Sequence, residues 1–300
     1  MSQEEREAEP VSGERRFRFG AVVGFARTGQ EWAAAARRIE QRGFSTLLCP
    51  DGTGTFAPFQ ALSAAAAVSS TLRLGTYVLA APLRTPGEVA WETASLDVLS
   101  GGRFELGLGA GRPAAEHDAG RLGLPFGTPA ERVSRIEQTV EAVRARYAAS
   151  DERSKYDAVR GVQQPRPPVL LAGTGPRMLQ FAAREADILA LGLPPQSTED
   201  DLAAKADQVR AIAGDRFDQL ELNVNIALVG DEIPPHAAAW LGADPGELIR
   251  NGSITVLTGS ARQMADSLLR RRDRTAVSYV SVNAQFADQF AGVIELLADA

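Results

Sequence analysis

Short apolar runs recur along this chain, each followed by a longer stretch whose apolar positions return every three or four residues. The short runs fall at residues 19–24, 45–50, 72–79, 103–108, 169–172, 186–191, 220–229 and 278–282. Runs with little polar alternation suit parallel strands buried on both faces. The periodic stretches predict helices at 32–41, 59–68, 86–99, 129–147, from 176 to just short of Asp187, and at 198–213, 261–271 and 286–297. Pro86 and Pro176 stand at first helical positions, where a missing N–H has no intrahelical partner to lose. Gly43 and Gly101-Gly102 supply helix stops. Residues 113–128 read as a loop, and 234–260 as short helical pieces with an added strand at 254–257. Eight strands alternating with eight helices predict an α/β fold, a (β/α)8 TIM barrel forming one domain over 17–300. A doubly wound open sheet is the alternative, and the unbroken alternation favours closure. Residues 1–16 are charged and without periodicity, as expected of a disordered tail, and 148–167 form a polar, proline-rich connector.

In such a barrel the chemistry belongs at the C-terminal ends of the strands. That places Asp51, Tyr77, Ala80, Gly109, Arg112 and the segment from Gly173 to Arg177 on one rim. The last of these is the most pointed. Val169, Leu170, Leu171 and Ala172 run into Gly173-Thr174-Gly175, and Pro176 opens a helix. Unpaired N–H groups at a helix start attract an anion, and glycines let a phosphate approach the backbone. A plain strand-to-helix turn explains this stretch equally well. It is not a dinucleotide fingerprint, because Met178 stands where the third glycine would be needed.

Charge and composition narrow the partners. A net charge of -6 and a pI near 5.2 argue against nucleic acid or an anionic membrane surface. Cys49 is the single cysteine, so no internal disulfide can form, and His117 and His236 are too few for a histidine metal cage. No run of 18 apolar residues occurs and the N-terminus does not resemble a signal peptide, so a cytoplasmic protein is expected.

Several segments then carry a resemblance. Leu-Leu-Cys-Pro-Asp (47–51), Leu-Arg-Leu-Gly-Thr-Tyr-Val-Leu (72–79), Leu-Arg-Thr-Pro (83–86) and the run from Ala94 to Gly111 resemble the luciferase-like monooxygenase superfamily. Val-Leu-Leu-Ala-Gly-Thr-Gly-Pro-Arg-Met-Leu (169–179), Ala-Arg-Glu-Ala-Asp-Ile (183–188) and Glu-Leu-Asn-Val (221–224) extend it. The branch most similar uses the deazaflavin coenzyme F420, with FMN as the alternative cofactor. The resemblance implies a ring resting on a bulge after the third strand, with a non-prolyl cis bond placed by position at Tyr77–Val78. It implies cofactor contacts from Asp51, Tyr77, Val78, Ala80, Gly109, Gly111, Arg112, Gly173, Thr174, Gly175 and Arg177, with the phosphate against Gly173, Thr174 and Gly175. It also implies a homodimer.

Two departures limit the transfer. Many F420 enzymes of the superfamily carry Asp-His after the second strand; here Asp51 is followed by Gly52. The sugar-phosphate dehydrogenase branch has an acid where this chain has Arg112, so glucose-6-phosphate oxidation is not expected. Proton transfer then falls to Asp51, Glu116, Tyr77, water or substrate. The expected activity is hydride transfer from reduced F420 to a conjugated C=C or C=N bond of a small molecule or modified peptide. An FMN-dependent monooxygenase and a flavin-binding barrel without turnover are the alternatives. The remaining candidates have plainer readings. Cys49 reads as a small core residue, His117 as exposed, and His236 as a loop residue. Trp32, Trp91 and Trp240 read as packing anchors, with a subunit contact as the alternative for Trp91. Residues 270–274 read as a solvated helix end. Ligand contact and a rim salt bridge remain level for Arg112, whereas for Asp51 its place at a strand C-terminal end favours a ligand-facing role over a loop cap.

Overall fold

A computed structural model describes residues 15–148, 159, 161–235 and 237–300. Most of the expected tail, part of the connector and His236 lie outside the described residues, as does the side chain of Trp240. The chain runs β1 (Arg18–Val22), α1 (Gly29–Gln41), β2 (Thr46–Cys49), α2 (Pro58–Ala66), β3 (Arg73–Thr76), β4 (Leu79–Ala80), α3 (Pro86–Leu99), β5 (Phe104–Gly109), α4 (Ala114–Arg121) and α5 (Pro129–Ala148). It continues with β6 (Val169–Ala172), α6 (Pro176–Glu185), β7 (Ile188–Ala190), α7 (Glu199–Ala213), β8 (Glu221–Ile226), β9 (Leu228–Val229), α8 (Ala237–Leu241), α9 (Pro245–Arg250), β10 (Val256–Leu257), α10 (Ala261–Thr275), β11 (Val277–Asn283) and α11 (Ala287–Leu297).

The parallel order β3-β2-β1-β11-β8-β7-β6-β5-β4, with β3 also paired to β5, closes a ring. Since β3 and β4 are two halves of one interrupted strand, the ring has eight strands and the TIM barrel stands. The extra strand expected near 254–257 is β10, which pairs with β9 outside the barrel. Helices dock because their apolar stripes meet the outward strand faces. Phe290 of α11, for example, meets Phe19 of β1 edge-on at 5.4 Å, and burying such a ring contributes about 1.5–3 kcal/mol. The inward faces hold a separate cluster of Leu48, Leu170, Ile188, Ala190 and Tyr279. Beneath it, at the N-terminal end of the strands, Arg18 pairs with Glu105 and Glu221, and Arg73 with Glu105. Burial alone would raise the Glu105 pKa; the two guanidiniums outweigh it and hold the carboxyl below its usual range. This plug fills the bottom of the barrel, opposite the C-terminal rim.

Four expectations change. The run 72–79 is split at Tyr77–Val78, which is a cis peptide bond as the resemblance implies. The loop at 113–128 contains α4, whose only buried positions are Ala115 and Ala119, a stripe too thin to register beside Gly120. Residues 270–274 are not simply solvated: Arg271 is buried and forks onto Glu199 of α7, and Arg272 lies 4.9 Å from the Phe17 ring centroid. Trp32 is a packing anchor, donating to the Ala61 carbonyl at 2.6 Å, whereas Trp91 is 60% exposed and no core anchor. Cys49 is core, as expected; burial, then the nearby Asp51, pushes its thiol up to about 12. Among the described residues no helix is long and apolar enough to cross a membrane.

Candidate active site

The rim is organised by the interruption between β3 and β4. Gly75 pairs with Glu105 and Leu79 with Leu108, so four steps on one strand face three on the other. One residue is extra, and the backbone at Tyr77 and Val78 bulges over β5. Glycines on β5 make this possible. A Cβ on Gly107 would fall 2.0 Å from the Thr76 carbonyl oxygen, and one on Gly109 would fall 2.6 Å from Val78 Cγ2. The Thr76 hydroxyl fixes the start of the bulge, donating to the Gly107 carbonyl at 2.9 Å and accepting from its N–H at 2.8 Å.

Asp51 fixes the far side. Its Oδ2 accepts the Ala80 N–H at 2.9 Å, and its two oxygens take both arms of Arg84 at 2.6 and 3.1 Å. The carboxylate is 3% exposed, so it is committed to the bulge rather than presented to solvent. Tyr77 is likewise committed. Its O–H donates to Asn223 Oδ1 at 2.7 Å and accepts from Ser281 Oγ at 3.0 Å. Burial pushes its pKa up to about 12, which the Ser281 hydrogen bond only partly offsets.

The neighbouring strand supplies the anion seat. β6 is followed by Gly173, which takes φ +156° and where a Cβ would meet Met178 Cγ at 2.7 Å. Gly175 is the N-cap of α6 with no side-chain cap, Pro176 follows, and the space where a Gly175 side chain would project is open. The first-turn N–H groups of Arg177 and Met178 have no intrahelical acceptor. The mouth between seat and bulge is floored by Val22, Val78 and Ala172, apolar and only partly covered.

Asp51, Tyr77, Val78, Ala80 and Gly109 therefore gather on the β2–β5 arc, with Gly173, Thr174 and Gly175 beside them in the turn between β6 and α6. Three others stand apart. Arg177 forks onto Glu137 of α5 at 3.1 and 2.6 Å, Glu116 is exposed on α4 beside His117 and Arg121, and Arg112 is exposed after Gly111. Gly111 takes φ +85°, turning the chain towards α4. Over Gly52 lies an unexpected carboxylate. Asp118 accepts the Thr53 O–H on one oxygen, and its other oxygen is 3.2 Å from where a Gly52 Cβ would sit. Also missed were Asn223, Asn225 and Ser281. The signal for the two asparagines was present in Glu-Leu-Asn-Val-Asn-Ile, where polar residues alternate along a largely buried parallel strand, and that for Ser281 in the polar alternation of Val-Ser-Tyr-Val-Ser-Val-Asn on β11. Among the described residues no cluster of His, Cys, Asp and Glu could hold a metal ion.

The model of the luciferase-like monooxygenase family matches residues 16–279. An F420-dependent glucose-6-phosphate dehydrogenase of Beutenbergia cavernae is 34% identical over 164 residues, 49% of this chain and 48% of that protein. The chain spans about half the length of the curated relatives it matches. Among solved structures, the F420-dependent tetrahydromethanopterin reductase of Methanopyrus kandleri superposes with a TM-score of 0.74 at 18% identity, covering 95% of this chain and 98% of that one. A riboflavin lyase holding modified FMN superposes with a TM-score of 0.73 at 16% identity, covering 95% and 93%. With barrel, bulge and match along nearly its whole length in agreement, the chain belongs to the luciferase-like monooxygenase family.

Proposed function

We propose that this chain is an F420-dependent oxidoreductase, in which reduced F420 supplies a hydride to a conjugated C=C or C=N bond of a small-molecule or modified-peptide substrate. The observation that carries the reading is the uncapped start of α6 at Gly175, open to an anion at the barrel mouth. Gly173, Thr174 and Gly175 would hold the phosphate, and the floor of Val22, Val78 and Ala172 excludes water beneath a planar ring. Asp51 and Tyr77 act as positioning residues, because their polar atoms are already engaged in fixing the bulge. Gly109 admits Val78 at close range, and Arg112 is free to meet a charged group at the rim. The proton that completes the reduction needs a donor near Gly52; the carboxyl of Asp118 lies nearer to that spot than the exposed Glu116.

The B. cavernae relative's name supports F420 for this chain. The imidazole absent at Gly52 favours a second reading, FMN in the same seat of a monooxygenase. Both readings place the protein in the cytoplasm as a homodimer. Titrating the apo-protein separately with F420 and FMN decides between them. F420 binding at micromolar or tighter concentration with weaker FMN is expected; tight FMN with no F420 binding favours the second. Bound cofactor without turnover across a panel of conjugated acceptors would leave a binding barrel.

A further inference from the structure

On β8 the inward positions are Glu221, Asn223 and Asn225. Glu221 joins the ion plug at the bottom, and Asn223 receives the Tyr77 O–H at mid-depth. Asn225 follows at the top, two residues further along the same face. It is exposed although Val224 and Ile226 on either side are buried and β8 lies between β7 and β11. A residue on the inward face of an enclosed strand can be exposed only through the open mouth. Ser281 Oγ lies 3.2 Å from its Oδ1 and 3.0 Å from the Tyr77 oxygen, and the single proton of the Ser281 hydroxyl is shared between the two acceptors. The amide plane is thereby held from below, while its Nδ2 donates to no acceptor among the described residues.

We infer that Asn225 recognises the imide edge of the cofactor ring. A carboxamide presents N–H and C=O side by side, the complement of the adjacent C=O and N–H of a pyrimidinedione. Two antiparallel hydrogen bonds then form, as asparagine makes with nucleobase edges. Both F420 and FMN carry this edge, so Asn225 sets ring orientation without choosing between them. The inference rests on the proposed cofactor seat.

Two variants test it. Asn225→Leu removes both hydrogen bonds; Asn225→Asp keeps the size and the acceptor for Ser281 and loses the N–H donor. We expect Asn225→Leu to weaken binding of whichever cofactor the wild type takes by roughly ten- to fiftyfold with the unfolding midpoint retained. Relative to wild type at each pH, Asn225→Asp should bind poorly at about pH 8 and recover in part towards about pH 5, as a protonated carboxyl regains a donor. A purely structural residue would show no such recovery. Folded Asn225→Leu within twofold of wild type, or an Asn225→Asp deficit constant across that range, overturns the assignment. A wild-type chain that binds neither F420 nor FMN overturns instead the cofactor reading beneath it.

Discussion

Asp51→Ala separates a ligand-facing carboxylate from one that holds the bulge. The side chain is 3% exposed and its partner Arg84 16%, so the pair is nearly dry. Removing one member of a buried pair costs about 3–5 kcal/mol, because the other charge is left uncompensated. The Ala80 N–H also loses its acceptor, and an unsatisfied buried donor costs about 1–3 kcal/mol. Arg84 can recover some hydration through its exposed edge, so we expect a total loss of about 3–5 kcal/mol rather than the sum. Against a typical domain stability of about 5–15 kcal/mol this is a large shift in the urea midpoint. The double variant Asp51→Leu/Arg84→Met removes both charges and should recover at least half of the loss, giving a strong coupling in the double-mutant cycle. Cofactor affinity should fall only as far as the bulge loosens. Asp51→Ala that unfolds within about 1 kcal/mol of wild type while losing cofactor affinity tenfold or more would refute the assignment.

Three further outcomes are expected. Burial tends to raise Glu40, but hydrogen bonds from Ser70, Thr71 and Leu72 outweigh it and hold the carboxyl at about 2. Its stabilising effect should therefore be full above an unfolded-state value of about 4.3 and fade as pH falls towards 2; a wild-type minus Glu40→Gln difference that is constant with pH would sink this account. Gly107→Ala, which must push a methyl into the Thr76 carbonyl, should lower stability more than Gly29→Ala, where no atom lies within 4 Å; equal thermal midpoints would contradict the bulge packing. Trp91 and Leu99 leave an exposed apolar face on α3, so sedimentation should give twice the 31.9 kDa chain mass and Trp91→Lys should halve it; a wild-type monomer at micromolar concentration removes the dimer.

The barrel was legible because its strands are buried on both faces, so their apolar runs stand out against the helical period. The bulge was placed correctly at Tyr77–Val78 by resemblance, while its physical cause, room above Gly107 and Gly109, needs two strands at once. Asp51 was correctly placed on the rim. Its hydrogen bonds to Ala80 and Arg84, 29 and 33 positions along the chain, exist only after closure. The same holds for Asp118, which reaches Thr53 from 65 positions away. α4 escaped notice because two alanines make a faint stripe. Arg271 and Arg272 were misplaced because a charge run does not reveal a neighbouring helix that carries Glu199.

The central claim, a phosphate seated on the open start of α6, predicts opposite signs for one substitution. At Gly175 the backbone is extended, with φ -69° and ψ 149°, and nothing lies within 4 Å of an added Cβ. An aspartate there should cap the helix and raise stability by a few tenths of a kcal/mol, glycine being itself a tolerable N-cap, while its charge opposes the phosphate. Thermal unfolding and F420 titration on Gly175→Asp should therefore show an equal or higher midpoint with affinity reduced at least tenfold. An unchanged dissociation constant in the folded variant would place the anion elsewhere and contradict the account.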